Sequence, residues 1–142
     1  MNIIEQLTNK DDKKAYEFCK KLCVESAKSD EYYSFFDDFV SLLCSTNSYI
    51  RTRGFILCCA QARWDKEGKI KKSIKKMFVL LHDEKPSVVR QCLKALQEVV
   101  IFRTELTKSI KKELDTIDLD KYKDSMAPLI RKDIDELKRM IG

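Results

Sequence analysis

The chain has 142 residues, with 28 Lys or Arg against 23 Asp or Glu, but only three Gly and two Pro. Its length fits one domain, residues 1–142, with enough chain to bury a core. So few turn-forming residues exclude a β-sandwich or barrel, which needs a turn about every 8–12 residues. We therefore expect an all-α fold.

The chain has no apolar run near the roughly 18 residues needed to cross a bilayer. Its first residues also lack the apolar stretch of a signal peptide. We therefore expect a cytoplasmic protein with no membrane partner. In that reducing compartment the six Cys are expected to be free thiols.

Apolar residues at helical spacing predict about four antiparallel helix pairs in a right-handed stack. Residues 1–28 should hold a short helix and then a longer one. Further helices are predicted over 31–45, 47–63, 69–82, 87–102, 104–115 and 126–141. The break Ser45-Thr46-Asn47 should supply the N-cap of the helix predicted over 47–63, as the segment from Asp83 to Pro86 should for the helix over 87–102. Gly54 lies inside a central helix, which indicates a close helix approach.

Parts of the chain repeat. Ile50-Arg51 recurs as Val89-Arg90 and again as Ile130-Arg131. The segment KSIKK occurs at both 72–76 and 108–112. The Ile-Arg and Val-Arg pairs recur at a period of about 40 residues, with two helices in each period, which is typical of helical repeats.

These features resemble the HEAT repeats of the armadillo-like family, most clearly from Asp83 to Leu96. The whole chain is similar to short stand-alone HEAT-like proteins of firmicute bacteria. The resemblance implies an α-solenoid that acts as a non-enzymatic binding module or scaffold. Its partner would be a segment of another protein, held in the groove formed by the second helices of successive repeats.

The Arg residues of the repeated pairs occupy equivalent positions, which predicts a structural ladder between repeats. Each guanidinium should pair with an acid or carbonyl of a neighbouring repeat, as Asp83 and Asp124 could provide. The three arginines are Arg51, Arg90 and Arg131.

The middle of the chain is basic, because residues 46–112 carry 16 Lys or Arg and six Asp or Glu. Six of its lysines lie off the apolar stripes of two predicted helices, so they either keep the surface solvated or bind an anion or nucleic acid. They are Lys72, Lys75, Lys76, Lys108, Lys111 and Lys112.

No catalytic, metal or cofactor site is predicted. The one histidine, His82, is expected at a helix end, in a capping or dipole role. The six Cys contain no CxxC and are interpreted as core residues, with Cys19 and Cys23 the one pair at i, i+4.

An alternative function remains open. DNA alkylation-repair glycosylases are also built from HEAT-like pairs, and Arg63-Trp64-Asp65 resembles residues that they use around a damaged base. That likeness favours nucleic-acid binding through the basic middle. The structural alternative is that Trp64 packs a helix end and Asp65 caps the next segment.

Overall fold

A computed structural model describes residues 2–142. Over these residues the chain forms eight α-helices and no strand, which confirms the all-α prediction. In the same range no helix has both the length and the apolar character needed to cross a membrane. The helices are α1 Ile3–Leu7, α2 Asp12–Ser26, α3 Phe36–Leu42, α4 Ser48–Ala60, α5 Lys69–Val79, α6 Pro86–Phe102, α7 Thr107–Leu114 and α8 Ala127–Ile141.

Four predicted helices are shorter than the apolar pattern indicates, because one end of each is a 3-10 turn. These turns are Tyr33–Phe35 before α3, Ala62–Trp64 after α4, Leu80–His82 after α5 and Thr104–Leu106 before α7. The tighter turn keeps residues such as Leu81 and Leu106 buried. Apolar spacing reports burial and does not distinguish a 3-10 turn from the last turn of an α-helix.

Side-chain caps fix where several helices begin. Asn47 accepts hydrogen bonds from the amides of Tyr49 and Ile50 at the start of α4, so the cap comes from the last residue of the predicted break Ser45-Thr46-Asn47. Asp11 does the same for α2. Before α6, Asp83 accepts from the Lys85 amide, and Pro86 occupies the first helical position. Such caps satisfy amides that have no partner within the helix.

Helices α2, α4, α6 and α8 lie side by side, with α4 between α2 and α6, and α6 between α4 and α8. Contacts at matching ends show that α2 and α4 run in the same direction. Arg53, in the first half of α4, reaches Asp12 at the start of α2. Beyond the other end of α4, Trp64 reaches the Ser26 carbonyl at the end of α2. Helix α3 covers α4 from another side.

One apolar cluster runs from Ile3 in α1 to Leu137 in α8. Central helix α4 is buried on almost every side, whereas α8 buries a single stripe. This contrast agrees with the sequence pattern, which distinguishes an all-round apolar helix from an amphipathic one. The buried residues of α4 are Thr52, Arg53, Gly54, Phe55, Leu57, Cys58 and Cys59.

Gly54 allows α3 to approach α4 closely. A Cβ atom at this position would lie 2.8 Å from the Leu42 Cβ and 2.8 Å from the Phe39 carbonyl oxygen. Real side chains do not approach backbone oxygens so closely. The close helix approach predicted from the sequence is therefore present between α3 and α4.

We predict that Gly54→Ala destabilises the protein, although Ala is the better helix former by about 1 kcal/mol. Separating α3 from α4 should cost about 1–3 kcal/mol of unfolding free energy, enough to reverse that gain. Chemical denaturation measures the difference. Ser109→Ala, at an exposed position of α7, is the control and should change stability by less than about 0.5 kcal/mol. A Gly54→Ala variant as stable as the control would contradict the close approach.

Candidate binding groove

A groove lies over α4, between α2 and α6, and encloses about 860 Å³. We call it the concave groove. Its floor is made by α4 and its two walls by α2 and α6. The floor residues are Tyr49, Thr52, Arg53 and Ile56; the walls comprise Asp12, Lys13, Tyr16, Cys19, Lys20, Cys23 and Val24 from α2, and Gln91, Lys94 and Ala95 from α6.

The concave groove exposes large side chains that globular proteins usually bury. Tyr16, Val24 and Tyr49 are 53%, 59% and 60% exposed. The floor between them is recessed, because Thr52 and Arg53 are almost fully buried. Clustered exposed aromatic and aliphatic side chains around a recess are typical of interaction sites.

Two smaller cavities adjoin the concave groove. One, of about 120 Å³, shares Cys23, Ile56 and Ala95 with it. The other, of about 340 Å³, shares Gln91 and Lys94 and extends the recess toward α8. The surface available to a ligand therefore continues across all four of the helices that lie side by side.

Arg53 fixes the groove floor. Its guanidinium donates to the Leu7 carbonyl at 3.0 Å and to the Asp12 carboxylate at 3.2 Å, and so ties the α1–α2 connection to α4. This role of Arg53 was not predicted from the sequence, because Arg53 lies outside the repeated Ile-Arg pairs. The available signal was one Arg inside an otherwise apolar helix, since a charge there must be paired.

The groove rim carries positive charge that is not neutralised within the described chain. Lys13 and Lys94 are exposed and have no carboxylate within 4.0 Å among residues 2–142. Lys20 contacts Glu17 only at 3.9 Å, with both side chains exposed. The wall acid, Asp12, is held by Arg53. The rim therefore presents ammonium groups from both walls.

The first rung of the predicted arginine ladder is present. Arg51 donates to Asp83 through Nε at 2.8 Å and Nη2 at 3.1 Å, and to the Thr46 carbonyl at 3.2 Å. This two-pronged geometry links α4 to the turn before α6. Burial acts to raise the pKa of Asp83, but the hydrogen bonds from Arg51 and the Lys85 amide outweigh it and lower that pKa.

The other ladder assignments need correction. Arg90 pairs with Asp133 of α8, Nε to Oδ2 at 2.8 Å, and not with Asp124. Asp124 is exposed in the turn before α8, whereas Asp133 lies on α8, which packs against α6. Arg131 is exposed and makes no ion pair within residues 2–142.

The six lysines of the predicted anion surface lie away from the concave groove. All are exposed, and none has a carboxylate within 4.0 Å among the described residues. Lys72, Lys75 and Lys76 are on α5, which packs on α3 and α4, and the other three are on α7, which packs on α8. Any ligand of these lysines would bind a different surface from a ligand of the groove.

Arg63, Trp64 and Asp65 hold helix ends together. The Trp64 indole donates to the Ser26 carbonyl at 2.6 Å, and Arg63 donates to the Ala27 carbonyl at 2.9 Å. Asp65, only 2% exposed, accepts from the amides of Lys69 and Ile70. The predicted packing of Trp64 and capping by Asp65 are confirmed.

The cysteines do not all lie in the core. Cys58, Cys59 and Cys92 are buried, and burial raises the pKa of each thiol. Cys44 is exposed just after α3, so its assignment to the core is wrong.

The pair predicted from i, i+4 spacing lies in the α2 wall of the groove, with Cys19 buried and Cys23 half-buried. A hydrogen bond from Cys19 lowers the pKa of Cys23 against the opposing effect of burial. Cys23 was also placed in the core by the sequence analysis and is only partly there.

The ring of His82 contacts a neighbouring helix. Its Nε2 lies 2.5 Å from the Glu113 carboxylate of α7. His82 lies at a helix end as predicted, in the 3-10 turn after α5, and its side chain also bridges that turn to α7. Within residues 2–142, no cluster of three or more His, Cys, Asp or Glu side chains is arranged to hold a metal ion.

Comparisons of the chain with protein-family models, with curated proteins and with solved structures find no match.

We predict that protonation of Asp83 destabilises the fold at low pH. A carboxyl whose pKa is lowered in the folded state stabilises the protein above its unfolded pKa, near 3.8, and that contribution is lost as pH falls through the folded value. Denaturation at pH 7 and at about pH 3 should show a smaller pH-dependent loss in Asp83→Asn than in the wild type. Asp124→Asn, at an exposed acid, is the matched control and should keep the wild-type difference. Equal losses in all three proteins would contradict this role.

Thiol labelling should divide the cysteines into two groups. In the native protein Cys44 and Cys23 should react with a maleimide, Cys44 because it is exposed and Cys23 because it is partly exposed with a lowered pKa. The buried Cys19, Cys58, Cys59 and Cys92 should react only after unfolding. Peptide mapping by mass spectrometry identifies the labelled residues. Native labelling of Cys59 at the rate of Cys44 would contradict the described packing.

Proposed function

We propose that this protein is a non-enzymatic helical-repeat binding module, and that the concave groove holds a segment of another protein. The observation that carries the proposal is the exposure of Tyr16, Val24 and Tyr49 around a recessed floor. Tyrosine is enriched at protein interfaces because its ring offers a large contact area with a polar end.

The arrangement of the helices supports a HEAT-like stack. Helices α2, α4, α6 and α8 pack in sequence, and α3 lies against α4 as the first helix of a pair would. Arg51 and Arg90 each pair with an acid of the next repeat. We infer a right-handed solenoid of about four antiparallel pairs, in which the second helices form the binding face.

The chemistry of the groove favours binding over catalysis. Its one carboxylate, Asp12, is paired with Arg53, and the Thr52 hydroxyl donates to the Ser48 carbonyl. A catalytic site instead keeps reactive groups aimed at the substrate with perturbed pKa values. The groove offers shape, apolar surface and rim charge.

Nucleic-acid binding is the second candidate, favoured by the six exposed lysines of α5 and α7 that have no carboxylate partner in the described chain. Arg63, Trp64 and Asp65 support it less, because all three side chains hold helix ends. The alternative is therefore passive phosphate binding, which should weaken steeply between about 50 and 200 mM salt.

Site-specific photo-cross-linking tests the proposal. A photoreactive residue in place of Tyr49 should cross-link to a polypeptide in cell extract. The same residue in place of Val79, which is 67% exposed on α5 and outside the groove, is the matched control and should give little product. Equal products from both positions, or nucleic acid as the only product from Tyr49, would contradict the proposed function.

A second variant in the same experiment tests the exposed lysines of α5 and α7. Reversing Lys72, Lys76, Lys108 and Lys112 to Glu should leave cross-linking from Tyr49 unchanged, since these lysines lie outside the groove. The same variant should abolish any salt-sensitive binding of DNA or RNA. Loss of the Tyr49 product in this variant would favour the nucleic-acid alternative.

A further inference from the structure

We propose that the occupant of the concave groove is an amphipathic α-helix of another protein, about two turns long where it contacts the floor, with acidic residues along both of its edges. This inference rests on the proposed function and specifies the shape and charge of the partner. The shape follows from the helices that form the groove, and the charge from its rim.

The width of the groove fits a helix. Packed helices lie about 8–10 Å apart, so walls on either side of one floor helix are separated by roughly twice that distance. A helix seated on α4 would have its axis midway between those of the two walls, about 8–10 Å from each across the groove, which is the usual distance between packed helices. An occupant parallel to α4 would pack against three helices at once, as the central helix of a bundle does.

The length of the contact follows from the exposed apolar residues. Tyr49 and Ile56 mark the ends of the apolar floor and are seven residues apart. At 1.5 Å per residue this is about 10 Å, or two turns. On the α2 wall, Tyr16 and Val24 are eight residues apart, about 12 Å along the helix. The occupant should therefore offer apolar residues at i, i+3 or i+4, and i+7.

The groove floor can accept apolar side chains without leaving polar groups unpaired. Thr52 is bonded to the Ser48 carbonyl, and Arg53 to the Leu7 carbonyl and Asp12. On the α6 wall, Gln91 donates to the Ser87 carbonyl. Because these donors already have partners, covering them adds little desolvation penalty. The floor therefore selects for shape and apolar character.

The rim selects for charge. Lys13 and Lys20 on α2 and Lys94 on α6 line both walls, and the single wall carboxylate is neutralised by Arg53. Glu17 lies beside Lys20 at 3.9 Å and offsets it only in part. Glu98, at the α6 side, belongs to the adjoining cavity and lies 3.8 Å from Arg63. Acidic residues on both edges of the occupant would meet these lysines.

A second copy of this chain fits the groove poorly. The amphipathic helices α5, α7 and α8 bury their apolar stripes in the core, at Ile70, Ile110 and Ile130 for example. The chain also carries a net charge of +5, so a second copy would bring more positive charge to a basic rim. The partner is therefore a different, acidic polypeptide.

Selection from a display library of random peptides, each long enough for about four helical turns, tests the inference. The wild-type protein should enrich peptides with net negative charge and apolar residues at helical spacing. The triple variant Lys13→Glu, Lys20→Glu, Lys94→Glu should reverse the preference to positively charged peptides. Lys72→Glu, Lys76→Glu, Lys112→Glu makes the same change of charge outside the groove and should keep the acidic preference.

The outcomes separate this inference from the proposed function. Tyr16→Ala and Tyr49→Ala should each weaken the selected peptides about tenfold, as loss of a central aromatic contact does. If neither change weakens binding, or if the library yields no binder, the groove is not the binding site and the proposed function fails. If binding depends on Tyr49 but the peptides are neutral, basic or without helical spacing, only this inference fails. A dimer that excludes the peptides would assign the groove to a second copy and overturn it as well.

Discussion

The Arg53 guanidinium joins three parts of the chain: the end of α1, the start of α2 and the central helix α4. A charge this deeply buried is tolerated only when its donors are paired, so α2 must lie where Leu7 and Asp12 can accept them. Since α2 is one wall of the concave groove, this arrangement also sets the width of the groove. The stability of the fold and the geometry of the groove therefore both depend on the Arg53 side chain.

The opposite end of α2 is held by a separate group of contacts. Gln61 and Trp64, which follow α4, bond to Ser26, while Arg63 stacks on Phe102 at 4.4 Å and reaches the Ala27 carbonyl. With both ends of α2 fixed to α4, the recess between them is set before any partner arrives. Binding to a preformed site is tighter because little free energy is lost in ordering the site's own residues.

Local features of this fold were predictable from the sequence where they depend on chemistry within a few residues. Apolar spacing located the helices, the break Ser45-Thr46-Asn47 indicated where α4 begins, and the Gly54 position indicated a close approach. The partners of side chains far apart in the sequence were harder to predict. Asp83 and Asp124 were both expected to pair with arginines of the repeated pairs, but only Asp83 does so, with Arg51, and Arg90 pairs with Asp133. Spacing in the sequence does not specify which turn of α8 faces α6.

The candidate site was the least predictable part. Tyr16, Val24 and Tyr49 come from two helices, α2 and α4, and look like ordinary helix residues in the sequence, because periodicity shows which residues are apolar and not which of them remain uncovered. The contacts of Arg53 were not predicted for a related reason. Its partners are a backbone carbonyl 46 residues away and an acid 41 residues away, and neither can be recognised from the neighbours of Arg53 in the chain.

The partly exposed thiol of Cys23 places a nucleophile in the wall of the recess, beside the buried thiol of Cys19. A reagent attached to the Cys23 sulfur and a bound partner would then occupy the same space. Cys23, Ile56 and Ala95 line both the groove and the adjoining cavity, so a seated helix would cover this sulfur. The rate at which Cys23 reacts with a thiol reagent therefore becomes a measure of how much of the groove is occupied.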